Sequence, residues 1–305
     1  MTAQLLESRS VAESTGGGAA GRSRHRPRKG LLTALLWFCT AYFLLPIVWL
    51  AISATKSNAG LFDSFGLWFD DEISLWENLQ TLFTFDDGLF GRWMLNSAYY
   101  CVVAAAGAAL LCTMAGYAFA KYRFPGDRIL FSVALGAIMI PTSALALPQY
   151  LLFSNYQLTN SALAVILPAL ASPIGVFIMR VYAADAVPES LLEAARMDGA
   201  GEFRIFATIA LRLLTPGTVT VFLFALVSSW NNYLLPLLMI RSRELYPVTV
   251  GLAHLSGQSN SGTGAEVQFS TVITGSLVSI VPLVLAFLYL QRYWQHGLTA
   301  GSVKA

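Results

Sequence analysis

From Ile129 to Met179 the chain runs 51 residues without one Asp, Glu, Lys or Arg. A water-soluble domain places a charge at roughly every fourth position, about 25% of residues. A run this long with none therefore belongs in hydrocarbon. A membrane-crossing helix needs about 20 apolar residues, so the run holds two spans and a short connection. The polar clusters Ser154-Asn155-Tyr156-Gln157 and Thr159-Asn160-Ser161 mark that connection. The same reading assigns charge-free windows elsewhere, at Leu31–Ile52, Trp93–Ala120, Leu213–Ile240 and Val267–Gln291. The expectation is an all-α polytopic membrane protein of about six transmembrane helices, over 31–52, 94–120, 129–152, 162–179, 213–240 and 267–291. Composition agrees, with 56% hydrophobic and 12% charged residues.

Sidedness follows from Lys and Arg, which accumulate in cytoplasmic segments. With the N-terminus inside, segments 1–30, 121–128, 180–212 and 292–305 hold 15 of the 19 basic residues. Both termini are then cytoplasmic. The first outer loop is acidic, with Asp63, Asp70, Asp71, Glu72, Glu77, Asp86 and Asp87. Residues 1–30 read as a disordered basic arm ending in RSRHRPRK. Within it GGGAAGRS nearly spells a phosphate-binding loop, but Arg22 stands where lysine is needed and no strand precedes it. No small-x-small cleavage site follows Leu31–Ile52, so this first span is retained. A net charge of +2 gives no reason to expect nucleic acid.

Candidate chemistry is sparse. Cys39, Cys101 and Cys112 all fall in apolar runs and read as small hydrophobes. His25, His254 and His296 are scattered, and no metal or nucleophile motif occurs. No charge sits mid-span, where proton- or ion-coupled carriers place one. That weighs against a self-sufficient secondary carrier or channel, and against an intramembrane enzyme. Polar residues inside spans are few: Thr142, Ser143 and Gln149 in the third, and Ser228, Ser229, Asn231 and Asn232 in the fifth. They either hydrogen-bond between helices or face a hydrated path; Gln149, Ser228, Asn231 and Asn232 are the path candidates. Span two carries Ala104, Ala108, Cys112, Gly116 and Ala120 at every fourth position, a face that lets another helix approach closely.

The exception to the apolar pattern is residues 185–217, DAVPESLLEAARMDGAGEFRIFATIALRLLTPG. Pro188 suits a first helical turn. Glu189 complements the positive end of the helix dipole. SLLEAARM presents Leu191, Leu192, Ala194 and Ala195, and Gly199 is placed to end the helix. A second segment, Glu202–Leu214, leads into span five. The expectation is a short cytoplasmic helix lying across the membrane surface between spans four and five.

Glu193-Ala194-Ala195, then Gly199, then Ile209-x-Leu211 resembles the EAA motif of ABC-importer permease subunits. The fuller EAARMDGAGEFRIFATIAL is similar to the carbohydrate, MalG-type branch. ENLQTLF, Asn96-Ser97, AGYAFAKYRFPG, MIPTSALALPQY, LTNSALAVILP, WNNYLLPL and GLTAGSVKA extend the resemblance over about residues 30–305. Arg212 stands where that family usually has proline. The resemblance implies a bacterial inner-membrane subunit with no catalytic centre. Its implied partners are a second permease subunit, two cytoplasmic ATPases that bind ATP and Mg, and an extracytoplasmic binding protein that docks in part on the outer loop 53–92. It further implies that Glu193, Ala194, Ala195, Asp198 and Gly199 couple to the ATPase. The tail 297–305 would also reach the ATPases.

Overall fold

A computed structural model describes residues 27–259 and 268–300, which fall into two compact units meeting at Val48 and Trp49. The described part of the first unit is a single helix, part of α1 (Pro27–Ala54), with every side chain from Leu31 to Val48 exposed. Such a helix is stable where its backbone satisfies itself and its side chains meet lipid or another helix. Most of the basic arm over 1–30, and residues 301–305 of the tail, lie outside the described residues.

The second unit follows the chain as α2 (Gly60–Asp63), α3 (Leu75–Thr84), α4 (Leu89–Lys121), α5 (Asp127–Ile138), α6 (Thr142–Asn155), α7 (Ala162–Leu170) and α8 (Pro173–Ala186). Then come α9 (Glu189–Met197), α10 (Glu202–Ile205), a π-helical turn Phe206–Ala210, α11 (Leu211–Trp230), α12 (Leu234–Met239), α13 (Val248–Ser259) and α14 (Phe269–Ala300). Among the described residues there is no strand. Five stretches are long and apolar enough to cross a membrane: Gly30–Ala54, Leu75–Lys121, Ala162–Ala186, Glu202–Trp230 and Phe269–Gln291. Taken as one broken span, the pair α5 and α6, bent by 106°, makes a sixth.

That bend breaks the expected span over 129–152 in two. Ile140 precedes Pro141 and is steered from helical geometry; Pro141 itself has ψ 128°. Other expected boundaries also move. Span four is interrupted at Ala171–Ser172, between Pro168 and Pro173, and Ser172 caps the new helix by accepting from the Gly175 amide at 3.2 Å. Span five starts at Glu202 and its long helix stops at Trp230, so 231–240 is a turn and the short α12 rather than its continuation. Span two starts at Leu89, ahead of the expected residue 94.

The small-residue face of α4 is a packing seam. Ala104, Ala108, Cys112 and Gly116 are buried, and α4 packs against α7, α8 and α11. Backbone approaches side chain so closely that a methyl group at Gly116 would sit 2.5 Å from Met179 Cβ and 2.7 Å from Arg180 N. One at Gly175 would sit 2.7 Å from Cys112 Sγ.

The far end of α4 is held differently. Trp93, Asn96, Ser97 and Tyr100 share one helix face by their 3- and 4-residue spacing. Trp93 Nε1 donates to Arg243 O at 2.7 Å, Asn96 Nδ2 to Glu244 O at 2.7 Å, and Tyr100 Oη to Leu245 O at 3.0 Å. Ser97 Oγ accepts from the Val248 amide at 2.7 Å. One face of α4 thus satisfies backbone groups of Arg243, Glu244, Leu245 and Val248 in the 243–248 turn.

The seam makes a prediction. Gly116→Val forces backbone apart and is expected to destabilise the chain by about 1–3 kcal/mol. Gly136→Val, where nothing lies within 4 Å of the added Cβ, is expected to be near neutral. Unfolding midpoints of the two variants in detergent check the contrast.

Candidate functional site

The charged stretch forms the short helix that its sequence suggests, with one change at its start. Pro188 is the residue before the helix, with ψ 135°, rather than a member of the first turn. Glu189 lies in the first turn and Arg196 in the last, each favourable with the helix dipole. At the other end Gly199 takes φ +76°, its amide donates to Arg196 O at 3.0 Å, and the Ala200 amide donates to Ala195 O at 3.0 Å. These two bonds are a Schellman cap, and only glycine enters the left-handed region there without cost.

The four apolar contact residues expected on α9 divide between two faces. Leu192 and Ala195 are buried in one core with Tyr117 of α4, Met179 and Ala183 of α8, Ile205, and Leu214 of α11. Leu191 and Ala194 stay exposed, beside exposed Glu193 and Asp198. Met197 is 88% exposed and Phe203 80%. Of the expected coupling residues, then, Glu193, Ala194, Asp198 and Gly199 are accessible and Ala195 is part of the scaffold.

A polar network missing from the sequence reading ties this helix to the end of α4. Arg196 Nε donates to Glu202 Oε1 at 2.8 Å, and Tyr122 Oη donates to Glu202 Oε2 at 2.6 Å. Glu189 lies 3.9 Å from both Arg196 Nη1 and Lys121 Nζ. Lys121 Nζ also donates to Ala184 O at 3.3 Å. Burial raises the Tyr122 pKa above the ordinary phenol value, and its bond to Glu202 raises it further, so the phenol remains a donor at neutral pH. Glu189 and Arg196 share a helix face two turns apart, but Lys121 and Tyr122 are far from all three α9–α10 residues in sequence, so no local pattern brings them to Glu189 and Glu202. Nearby, Arg180 lies 3.8 Å over the Phe131 ring and so fixes α8 against α5.

Arg212 is exposed on an unbroken helix. A π turn lies just before it and Pro216 just after it, which offers no N–H to the Arg212 carbonyl.

The path candidates separate. Ser228, Asn231 and Asn232 cluster where α11 ends. Asn231 Nδ2 donates to Val227 O at 2.9 Å, and Asn232 O accepts from Thr249 Oγ1 at 2.9 Å. Gln149 is half-buried on α6, and among the described residues no hydrogen bond joins it to the other three.

Five apolar crossings, a sixth bent pair, and an exposed, capped helix between α8 and α11 define a multi-span membrane protein. The family described as the binding-protein-dependent transport system inner membrane component matches residues 110–298, and the chain belongs to it. The arabinooligosaccharides transport system permease protein AraQ of Halalkalibacterium halodurans is 35% identical over 275 residues, covering 90% of this chain and 96% of that protein. The lactose transport system permease protein LacG of Rhizobium radiobacter is 28% identical, covering 86% and 91%. The crystal structure of a bacterial ABC transporter involved in the import of the acidic polysaccharide alginate has a chain of the same fold, with TM-score 0.77, 22% identity, and coverage of 89% and 98%. The protein is thus the permease component of an importer.

The cap yields a direct test. A Cβ at Gly199 meets nothing within 4 Å, so Gly199→Ala acts through backbone strain alone, about 1–2 kcal/mol. Faster hydrogen exchange at the Gly199 and Ala200 amides, with exchange in α4 unchanged, is the expected result.

Proposed function

We propose that this chain forms half of the translocation path of an ATP-driven bacterial importer for a sugar or oligosaccharide, and that α9 is the surface on which a cytoplasmic ATPase docks. The observation that carries the reading is the patch of Met197, Phe203, Leu191 and Ala194 around Glu193. Apolar side chains this exposed, on a polar-rimmed helix between two spans, fit a protein groove. Glu193 supplies a charge for a basic partner residue, and Asp198 and Gly199 fix where the helix stops. ATP and Mg2+ belong to the ATPase pair. A second permease subunit completes the path, and an extracytoplasmic binding protein delivers the substrate. Both termini lie in the cytoplasm, as the lysine and arginine bias indicates. Ser228, Asn231 and Asn232, where α11 breaks, together with Gln149 are the polar groups offered to a passing sugar.

The names of the relatives support a carbohydrate cargo, and arabino-oligosaccharides are the first to try. A self-sufficient carrier has no observation in its favour.

Two measurements test this. Glu193→Lys and Met197→Asp are expected to lower ATPase co-purification by tenfold or so, about 1.4 kcal/mol or more of binding, while membrane insertion stays normal. Normal co-purification and uptake in both variants would count against docking at α9. In proteoliposomes, uptake is expected only with the ATPase, the second permease and the binding protein present; sugar movement by this chain alone would overturn the reading.

A further inference from the structure

The loop between α1 and α3 is closed on itself. The Ser74 amide donates to Thr55 O at 2.8 Å, and Asn78 Nδ2 donates to Ala54 O at 3.0 Å and Lys56 O at 2.8 Å. Inside it, Lys56 is 1% exposed and donates to Ser64 Oγ and Phe65 O, both at 2.7 Å. Burying an ammonium carries a desolvation penalty. Two hydrogen bonds from the charged donor offset much of it. The lysine therefore holds the turn at 64–65 in one place.

What the loop displays is unusual for a segment in water. Phe65 is 73% exposed, Trp68 69% and Trp76 76%, and Phe62, Phe69 and Ile73 are exposed as well. Interleaved with them are Asp63, Asp71 and Glu72, also exposed. A dry hydrocarbon core rejects those acids, whereas bulk water disfavours the aromatic surface. The headgroup layer accommodates both, and Trp in particular is enriched there.

Two spans set the height of the loop. Gly66 lies against the last turns of the first: a methyl group on it would stand 3.8 Å from Trp49 Nε1, and Trp49 is five residues, about 7 Å along the axis, before the helix ends at Ala54. The chain thus folds back along the span after leaving it. Phe62 packs edge-on to Phe269, the first residue of the last span, at 5.6 Å between ring centroids, and Asn58 Oδ1 accepts from the Phe269 amide at 3.0 Å. Both anchors lie at span ends on the side away from α9.

We infer that Phe62–Trp76 is a lipid-seated anchor, its aromatic side chains inserted in the headgroup and upper acyl layer of the leaflet opposite the α9 surface. The clamp formed by Lys56 fixes its depth. The surface left to a soluble partner on this side is then the remainder of the loop cluster, around Asp86, Asp87 and Arg243, where Arg243 Nη1 stands 3.4 Å from Asp86 Oδ2.

The test uses the full chain in phosphatidylethanolamine/phosphatidylglycerol nanodiscs. A phosphatidylcholine carrying a diazirine near the top of its acyl chain is photolysed, and adducts are mapped by mass spectrometry. Hydroxyl-radical oxidation is measured in parallel. Several-fold more adduct on residues 61–77 than on 188–203, with slow oxidation of Phe65, Trp68 and Trp76, is the expected result. Fast oxidation without adducts means the segment is in water and overturns the proposal. Slow oxidation without adducts means protein covers it, and overturns the proposal equally.

Discussion

Asn160 holds together two turns that the membrane would otherwise penalise. Its Oδ1 accepts from the amides of Arg241 at 3.0 Å and Ser242 at 2.9 Å, and its Nδ2 donates to Ser242 Oγ at 2.9 Å. Its own amide donates to Met239 O at 2.7 Å, from a left-handed backbone with φ 56° that asparagine tolerates better than most residues. Each break in a helix frees amides and carbonyls, and inside a protein an unpaired one costs on the order of 1–3 kcal/mol. This chain breaks its helices often, at 139–141, 156–161, 171–172, 231–233 and 240–247. The fold depends on each break finding partners on a neighbouring element. Asn160 does so for the exit of α12, the Trp93–Tyr100 face of α4 for the next turn, and Ser172 for the start of α8.

This explains what was legible in the sequence. The spans were visible because hydrocarbon leaves a one-dimensional record, namely charge-free runs. The close approach along α4 was visible as a four-residue repeat of small side chains. The 106° bend between α5 and α6 was not, although Pro141 was in view. Proline says that a helix is disturbed and leaves the direction of the chain to whatever packs beside it. The end of α11 at Trp230 was hidden for a related reason: nothing local in the sequence shows that the Asn231 side chain turns back to Val227 O or that the Asn232 backbone carbonyl accepts from Thr249.

At the site, local chemistry was readable and pairing was not. Gly199 announced a helix end because few residues accept its backbone. Arg196, Glu202 and Tyr122 carried no such mark, since only the folded chain brings the end of α4 beside α9. The two-faced character of α9 was missed because Leu191 and Leu192, or Ala194 and Ala195, are equivalent as residue types. Rotation about the helix axis decides which one enters the core.

That rotation has a mechanical consequence. Leu192 and Ala195 share their core with Met179 of α8 and Leu214 of α11, and the polar network fastens the same helix to α4. Under the docking proposed above, a push on Met197 bears on a helix that is packed and hydrogen-bonded to three spans, so the load is carried by α4, α8 and α11 together.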